Sequence, residues 1–153
     1  MKNYLVVLSL LIVSACASVP MTSPEQDQMA KQFNEPTTDK SHLYIFRDEI
    51  FGTGIKAKLG LDGRVLGETL DQTYFFQEIK PGPHYVTSTT LTTDTLNFTA
   101  EKGEVYFIWQ DIRPGFVTIA SKLRLASRER GQAGVLASKR ILVHKPEFDF
   151  YLD

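Results

Sequence analysis

Cysteine is almost absent from this sequence. Of 153 residues only Cys16 carries a thiol, which excludes an intramolecular disulfide and a zinc site built from several thiolates. Histidine is scarce as well, and no two of His42, His84 and His144 have the four-residue helical spacing of a zinc protease. The sequence therefore predicts no metal and no cofactor. We expect His84, after a Pro-Gly-Pro turn, to form local contacts, and His42 and His144 to be solvated.

An excess of charge of either sign is absent too. Lysine and arginine number 17 against 18 acidic residues, and the net charge is -1. Without a basic run, the sequence predicts no nucleic-acid partner. Catalytic motifs are missing: there is no glycine-flanked serine elbow, and the glycine-rich segment 52–54 lacks the lysine of a phosphate loop. The adjacent carboxylates of Asp48 and Glu49 point apart on an extended chain, so they make a poor acid–base pair. We therefore expect a protein that is not an enzyme.

A long hydrophobic run occurs at the start of the chain. Lys2 is followed by an apolar stretch over residues 5–13 and then by two small residues, which is the order of a secretory signal peptide. An uncleaved spanning helix would need about 20 apolar residues, whereas Pro20 and the polar residues after it interrupt this run. The sequence therefore predicts that residues 1–15 are a cleaved signal peptide.

Residues 11–16 read Leu-Ile-Val-Ser-Ala-Cys and resemble the lipobox of bacterial lipoproteins. In that family the cysteine thiol receives a diacylglycerol, the signal peptidase cuts before it, and the new amine is usually acylated. The resemblance implies that Cys16 carries fatty acids such as palmitate, and two or three acyl chains anchor a protein firmly. The alternative is an incidental cysteine in an ordinary signal peptide. Because Ala17 rather than aspartate follows the cysteine, the resemblance implies the outer membrane, with the domain facing the periplasm.

Cleavage would leave 138 of the 153 residues, enough for one domain with its own core. Residues 16–41 contain few large apolar side chains and are predicted to be a lipidated tether. Within it, Ser23 is the expected cap of a short helix over residues 24–33, which either docks on the domain or stays free. Residues 42–145 are expected to form the domain. Residues 146–153 are a tail, either a last edge strand or an exposed end.

Strand patterns dominate the domain. Eight segments of strand length lie between turn residues: 43–46, 55–61, 64–68, 73–79, 84–91, 96–100, 104–111 and 116–125. Asp62-Gly63 is a hairpin turn, and the serines and threonines of residues 87–95 are expected on an exposed sheet face. The stretch 104–111 is apolar on both faces, which predicts a central strand with Trp109 in the core. Apolar spacing over residues 133–141 predicts a short helix. The fold class is therefore mostly β, an antiparallel β-sandwich of seven to eight strands with a short helix at each end.

Several segments together resemble a family of uncharacterised bacterial lipoproteins that is catalogued as a domain of unknown function. They run from the signal peptide to about Val143 and are residues 16–21, 30–33, 43–47, 51–52, 61–63, 73–75, 81–84 and 106–110. Residues 61–86 are also similar to PEGA-type β-modules, which carry an Asp-Gly turn, a short return strand and a Pro-Gly turn. The resemblance implies an envelope location and a β-sandwich without chemistry of its own.

Two features are candidates for partner binding. Phe51 and Phe116 lie beside glycine on loops, where an aromatic side chain either anchors a partner or covers the end of the sandwich. Arg124 and Arg128, with the charges of residues 129–130, are either a solvated helix start or a contact for lipopolysaccharide phosphate or peptidoglycan carboxylate. The sequence thus predicts a lipid-anchored, non-enzymatic module that binds an envelope protein or a cell-wall component. The alternative is a small-ligand carrier with a pocket at one end of the sandwich.

Overall fold

The computed structural model describes four ranges of the chain, with only the backbone of Pro114: residues 18–37, 39–50, 54–114 and 118–144. Five predicted features lie outside the described residues, and what was predicted for them stays a prediction: the signal peptide, Cys16, Phe51, Phe116 and the tail 146–153. Within the described ranges, no helix has the length and hydropathy needed to span a bilayer.

The described residues form two helices and nine strands. In chain order they are α1 (Pro24–Ala30), β1 (Ser41–Arg47), β2 (Ala57–Leu61), β3 (Arg64–Thr69), β4 (Thr73–Ile79), β5 (Gly82–Thr89), β6 (Thr93–Ala100), β7 (Val105–Pro114), β8 (Ile119–Ala126), α2 (Arg128–Leu136) and β9 (Lys139–Arg140). Each predicted strand therefore has an observed counterpart, and β9 is a short addition. The predicted hairpin turn is present, because Asp62 and Gly63 both have positive φ, 51° and 79°, as a two-residue loop of this type requires.

The strands form two sheets. The four-stranded sheet has the order β3-β2-β5-β6 and is antiparallel throughout. The five-stranded sheet has the order β8-β7-β1-β4-β9 and is mixed, because β1 runs parallel to β7 and β4 runs parallel to β9. The prediction of a mostly β fold with two sheets is confirmed. The predicted antiparallel pairing holds throughout the four-stranded sheet, whereas the five-stranded sheet is mixed. Parallel neighbours need a long connection, and here the whole four-stranded sheet lies in the chain between β1 and β7.

The main core lies between the two sheets. It consists of buried aliphatic and phenylalanine side chains from both inner faces, namely Leu43, Ile45, Leu59, Leu61, Leu66, Phe75, Ile79, Val86, Phe98, Ala100, Ile108, Leu123 and Ile141. A second cluster covers the outer face of the five-stranded sheet, where α1 and α2 pack on Tyr44, Phe46, Tyr74 and Phe107. All seven residues of β1 are buried as a result. The molecule thus has three layers, with β1 in the middle of the central one.

Strand β7 is internal, as predicted, but Trp109 is not a full core residue. It faces the helical layer with Val105 and Phe107 and packs at the margin of the second cluster, where it is partly buried. The middle strand of the sheet is β1. An apolar pattern on both faces marks an internal strand, but it does not reveal where along that strand the covering helices end.

The helices begin at serine caps and differ from prediction in length. Ser23 Oγ accepts a hydrogen bond from the Gln26 backbone N–H at 3.3 Å, as predicted for α1, but the helix ends at Ala30 because the chain turns before Phe33, whose φ is 52°. Helix α2 starts at Arg128, earlier than the predicted stretch, and Ile141 lies outside it in a bridge to Met21.

The segment predicted as a tether is docked on the domain. The backbone N–H groups of Thr22 and Leu142 donate to the carbonyls of Arg140 and Pro20 at 3.0 and 2.8 Å. The Tyr44 hydroxyl donates to the Ala30 carbonyl at 2.8 Å, which fixes the end of α1. Of the two alternatives for the N-terminal helix, the structure shows the docked one.

Candidate functional site

Two loops leave the same end of the sandwich, which we call the loop end. Because β1 and β7 are parallel neighbours, the connections that follow them, which contain Phe51 and Phe116, start at the same end. Glu49 joins the two strands: its Oε1 accepts hydrogen bonds from Arg47 Nε at 2.8 Å and from the Ile112 backbone N–H at 3.2 Å. Burial raises the pKa of Glu49 despite these bonds and the charge of Arg47. Strand pairing and a buried carboxylate therefore fix the bases of both loops.

A buried chain of polar side chains connects the two sheets just below the loop end. The Thr69 hydroxyl donates to Gln110 Oε1 at 2.7 Å, and Gln110 Nε2 donates to Ser88 Oγ at 2.6 Å. Ser88 Oγ lies 2.5 Å from Ser121 Oγ. All four residues are buried. Satisfied buried polar groups favour one alignment of the sheets, because any other leaves them without partners.

An arginine–tryptophan surface lies on the outer face of β7 and β8. We define it by Trp109, Arg124, Arg128, Arg130 and Asp48. The guanidinium of Arg130 lies 4.9 Å from the centre of the Trp109 ring, and its Nη1 and Nη2 donate to the two Asp48 carboxylate oxygens at 2.6 and 2.9 Å. The hydrogen bond to Asp48 raises the pKa of Arg130. Because Arg130 is paired with Asp48, its guanidinium has a fixed position on this surface.

The other two arginines of this surface are more accessible. Arg124 is opposite Trp109 in the β7–β8 ladder, and its exposed guanidinium lies 6.0 Å from the centre of the indole. Arg128, at the start of α2, is exposed and lies 3.4 Å from a Glu35 carboxylate oxygen. The Trp109 Nε1–H is buried and has no acceptor within the described part of the chain. The surface therefore offers one exposed cation beside the indole, Arg124, and a second exposed cation, Arg128, that pairs with Glu35.

An edge groove of about 600 Å³ lies on the opposite side of the sandwich. It forms where β3, the edge strand of the four-stranded sheet, meets residues 141–144 and the start of the described chain at Ser18. A hydrogen bond from the His144 backbone N–H to the Leu66 carbonyl, 2.8 Å long, joins residues 141–144 to β3 at this groove. Its lining combines apolar side chains with charged ones: Pro20, Val65, Ile141, Leu142 and Val143, and Lys56, Lys58 and Glu68.

The comparisons with known proteins bear on the family. Residues 37–122 match the family described as "Protein of unknown function (DUF2846)". The chain belongs to this family. A protein of Haemophilus influenzae (strain ATCC 51907 / DSM 11121 / KW20 / Rd) named "Uncharacterized protein" is 36% identical over 126 residues, which is 82% of this chain and 75% of the relative. The predicted membership of a domain-of-unknown-function family is confirmed.

The DUF2846 match covers only part of the arginine–tryptophan surface. It runs from the residues before β1 into β8, so it contains Asp48 and Trp109 and ends before Arg124, Arg128 and Arg130. The buried Thr69–Gln110–Ser88–Ser121 chain lies entirely within it. The matched region therefore holds β1 to β7 and the first half of β8, while the helix that supplies two of the arginines lies beyond it.

The three histidines of this DUF2846 chain lie in three different surroundings. His84 is bonded locally, as predicted, with Nδ1 2.6 Å from Asp62 Oδ2 and Nε2 2.7 Å from the Lys80 carbonyl. Burial lowers the pKa of His84, but the two hydrogen bonds outweigh burial and raise it. His144 is exposed. The prediction of a solvated His42 is wrong, because it is buried against the edge of the Phe76 ring. Among the described residues no three potential metal-binding side chains cluster.

The structure places two further polar features differently from prediction. Ser88 was expected on an exposed face, but it is buried because β5 turns it toward the five-stranded sheet, where Gln110 and Ser121 meet it. Arg124 and Arg128, predicted as one charge cluster, have different partners: Arg124 lies over the Trp109 ring, and Arg128 pairs with Glu35. Sequence reasoning missed Trp109 as the partner of Arg124 because its alternation with Val105 and Phe107 predicted a core side chain.

Proposed function

We propose that this DUF2846 protein is a lipid-anchored protein of the bacterial envelope and that it acts as a non-enzymatic interaction module. The lipobox-like sequence at residues 11–16, which ends at the only cysteine, carries the proposal. Acylation at Cys16 would hold the domain at the outer membrane, facing the periplasm. The likeness of residues 61–86 to PEGA-type modules supports a β-domain that binds without chemistry of its own.

The docked N-terminal segment supports an anchor at this position. Thr22 pairs with Arg140, and Tyr74 donates from its hydroxyl to Asp27 Oδ1 at 2.7 Å, so the folded part starts within a few residues of Cys16. An anchor on a docked segment limits how far the domain swings from the bilayer. A protein held this way presents the same side to its surroundings, which suits a binding module.

The arginine–tryptophan surface is the binding surface that we assign to the module. Guanidinium groups recognise carboxylates and phosphates with paired hydrogen bonds, and both groups are common in envelope components. Arg124 and Arg128 are exposed. The indole of Trp109, beside Arg124, adds a rigid apolar contact. The aromatic loops of Phe51 and Phe116 start at the adjacent loop end and are the proposed second contact.

The anchor is tested by changing Cys16 to serine. We expect wild-type cells to incorporate a clickable fatty acid into the protein and the Cys16→Ser variant to lose that label, since no other thiol is present. Ala17→Ser, which keeps a small residue after the cysteine, is the matched control and should keep the label. Equal labelling of wild type and Cys16→Ser rules out the lipid anchor.

A small-ligand carrier is the second candidate function. The edge groove favours it, because about 600 Å³ with a largely apolar lining is within the usual range for ligand pockets. The predicted place was one end of the sandwich, whereas the groove lies along its edge. Saturable binding of a fluorescent fatty acid to purified protein, lost in Val65→Glu and kept in the distant Leu125→Glu, would favour the carrier.

A further inference from the structure

The edge groove lies next to the proposed lipid attachment site. Ser18 and Pro20 belong to its lining, and a single residue, Ala17, separates Ser18 from Cys16. An extended residue spans at most about 3.3–3.6 Å, so a lipid on Cys16 begins within about 7 Å of Ser18. The bilayer surface and the groove therefore have to be close neighbours.

The segment that leads to the groove has little freedom to move the domain away. The pairing of Thr22 with Arg140 and of Pro20 with Leu142 holds it against β9 and the residues that follow β9. The next residues form α1, whose end is fixed by the Tyr44 hydroxyl. A domain that is joined to its lipid by so short a segment keeps one side toward the membrane.

The side of the domain that carries the groove combines exposed apolar side chains with lysines, as a membrane-facing surface does. Val65 and Leu142, which line the groove, are 44% and 47% exposed, and nearby Met21 is 40% exposed. Lys56 and Lys58 flank them, with Lys56 3.1 Å from Glu68 and half-exposed, and Lys58 exposed. Apolar side chains gain by entering the headgroup layer, while lysines extend their charged ends to lipid phosphates.

We propose that the edge groove rests on the membrane, with Val65 and Leu142 in the headgroup layer and with Lys56 and Lys58 bound to phosphates of anionic lipids. This inference rests on the proposed lipid anchor at Cys16. It also orients the rest of the molecule. Because β8 and β9 are opposite edges of the five-stranded sheet, Arg124 on β8 faces away from the bilayer, toward the periplasm.

The orientation is tested on the full-length protein made in cells and purified with its lipid. The thiol of Cys16 is consumed by the lipid, so one introduced cysteine is the single site for a fluorescent label. Val65→Cys reports on the groove, and Leu125→Cys on β8 is the matched control, since Leu125 is also apolar and is 54% exposed against 44% for Val65. Both proteins are inserted into vesicles of phosphatidylcholine with phosphatidylglycerol that contain a spin-labelled lipid quencher.

We expect the lipid quencher to remove most of the fluorescence at position 65 and little at position 125. The double variant Lys56→Gln/Lys58→Gln should weaken quenching at position 65 in the mixed vesicles, and vesicles without phosphatidylglycerol should do the same to the parent protein. Circular dichroism of each labelled protein verifies its fold. Equal quenching at the two positions, or none at position 65, overturns the orientation.

Two further measurements separate this inference from its alternatives. The mass of the mature N-terminus is determined first: a chain without lipid on Cys16 overturns both the anchor and the orientation, whereas a lipidated chain with equal quenching overturns the orientation alone. An aqueous iodide quencher is then applied in detergent. If position 65 is shielded there and becomes accessible in a chain that ends at His144, the C-terminal residues occupy the groove, and the membrane proposal is overturned.

Discussion

At the scale of single residues, two glycines decide how closely α2 lies on the sheet. A Cβ atom added at Gly131 would overlap the Phe107 ring, and one added at Gly134 would overlap the ring of Phe46. Glycine within a helix is unfavourable by about 1 kcal/mol relative to alanine. The close approach offsets that cost, because it lets the helix seal the aromatic cluster on the outer face of the five-stranded sheet.

Replacing Gly131 by alanine should therefore lower stability, although alanine favours the helix. Overpacking of a core typically costs about 1–3 kcal/mol, and urea unfolding monitored by circular dichroism measures it. Gln132→Ala, also in α2 but only partly buried, is the control and should change stability little. A rise in stability for Gly131→Ala would show that the helix does not press on Phe107.

His84 should make stability depend on pH. Its raised pKa means that folding favours the protonated ring, which donates to the Asp62 carboxylate and the Lys80 carbonyl. The contribution is fully present below the unfolded pKa of about 6.5 and is lost as pH rises through the folded pKa. We expect the free energy of unfolding to fall over that range in the wild type and to fall less in His84→Gln.

The matched control for this effect is Asp62→Asn. Asparagine also adopts the positive φ of 51° found at this position, and its amide oxygen still accepts from the Tyr85 backbone N–H. The variant removes the charge that favours protonated His84 while it keeps the turn. A pH profile identical to that of the wild type would assign the effect to the Lys80 carbonyl alone.

At the scale of elements, one carboxylate holds α1 in place. Asp27 accepts hydrogen bonds from Lys31 Nζ at 2.8 Å, from the Tyr74 hydroxyl at 2.7 Å and from the Arg140 backbone N–H at 3.1 Å. Burial raises the pKa of Asp27, but these partners outweigh burial and lower it. The helix has only seven residues, too few to be stable alone. Its order therefore depends on contacts with the domain, which are this carboxylate, the Tyr44 hydroxyl at its end and the packing of nearby Phe33 against the Tyr44 ring.

Changing Asp27 to alanine should release α1 from the domain. The Tyr74 hydroxyl and the Arg140 N–H would lose the carboxylate oxygen that accepts from both of them, and leaving a buried donor without its partner costs about 1–3 kcal/mol. Hydrogen exchange should show faster exchange for the α1 amides and for Thr22, with the sheets nearly unchanged. Glu25→Ala, in the same turn but exposed, is the control. Unchanged exchange in α1 would mean that its apolar contacts suffice.

The positions of the strands along the chain were largely predictable from the sequence, but the pairing of one strand with another was not. Period-two patterns and Pro-Gly, Asp-Gly and Lys-Gly turns placed eight strands, since these signals are local. The parallel pairing of His42 with Val105 joins residues that are far apart in sequence, and no local signal encodes it. The same applies to buried Ser88, whose partner Gln110 lies two strands later in the chain. Polar residues on strands predict exposure unless their partners are known.

At the scale of the whole molecule, the three layers separate two surfaces. The edge groove adjoins β3 and the N-terminal segment, whereas the arginine–tryptophan surface lies on β7, β8 and the start of α2. The sandwich between them is filled by the main core and by the Thr69–Gln110–Ser88–Ser121 chain. Under the proposal, one of these two surfaces meets the membrane and the other meets a partner. The arginines of this surface were predictable from the sequence, but the position of Arg124 and Arg130 over the Trp109 ring was not.

If the protein acts as the proposed module, partner capture should depend on the arginine–tryptophan surface. We expect Arg124→Gln/Arg128→Gln, two exposed changes, to abolish recovery of crosslinked partners from envelopes while the melting temperature stays near wild type. Loss of anchoring side chains of this kind typically costs about 2 kcal/mol or more of binding. Lys80→Gln/Lys102→Gln, which removes the same number of exposed charges from the opposite end of the sandwich, is the control and should capture normally. Phe51→Ser/Phe116→Ser tests the loop end in the same assay: a folded double variant without capture assigns the loops to the interface, and an unfolded one assigns both phenylalanines to the core. If the arginine and phenylalanine variants both stay folded and capture the same partners as the wild type, neither surface binds them, and the module proposal loses its site.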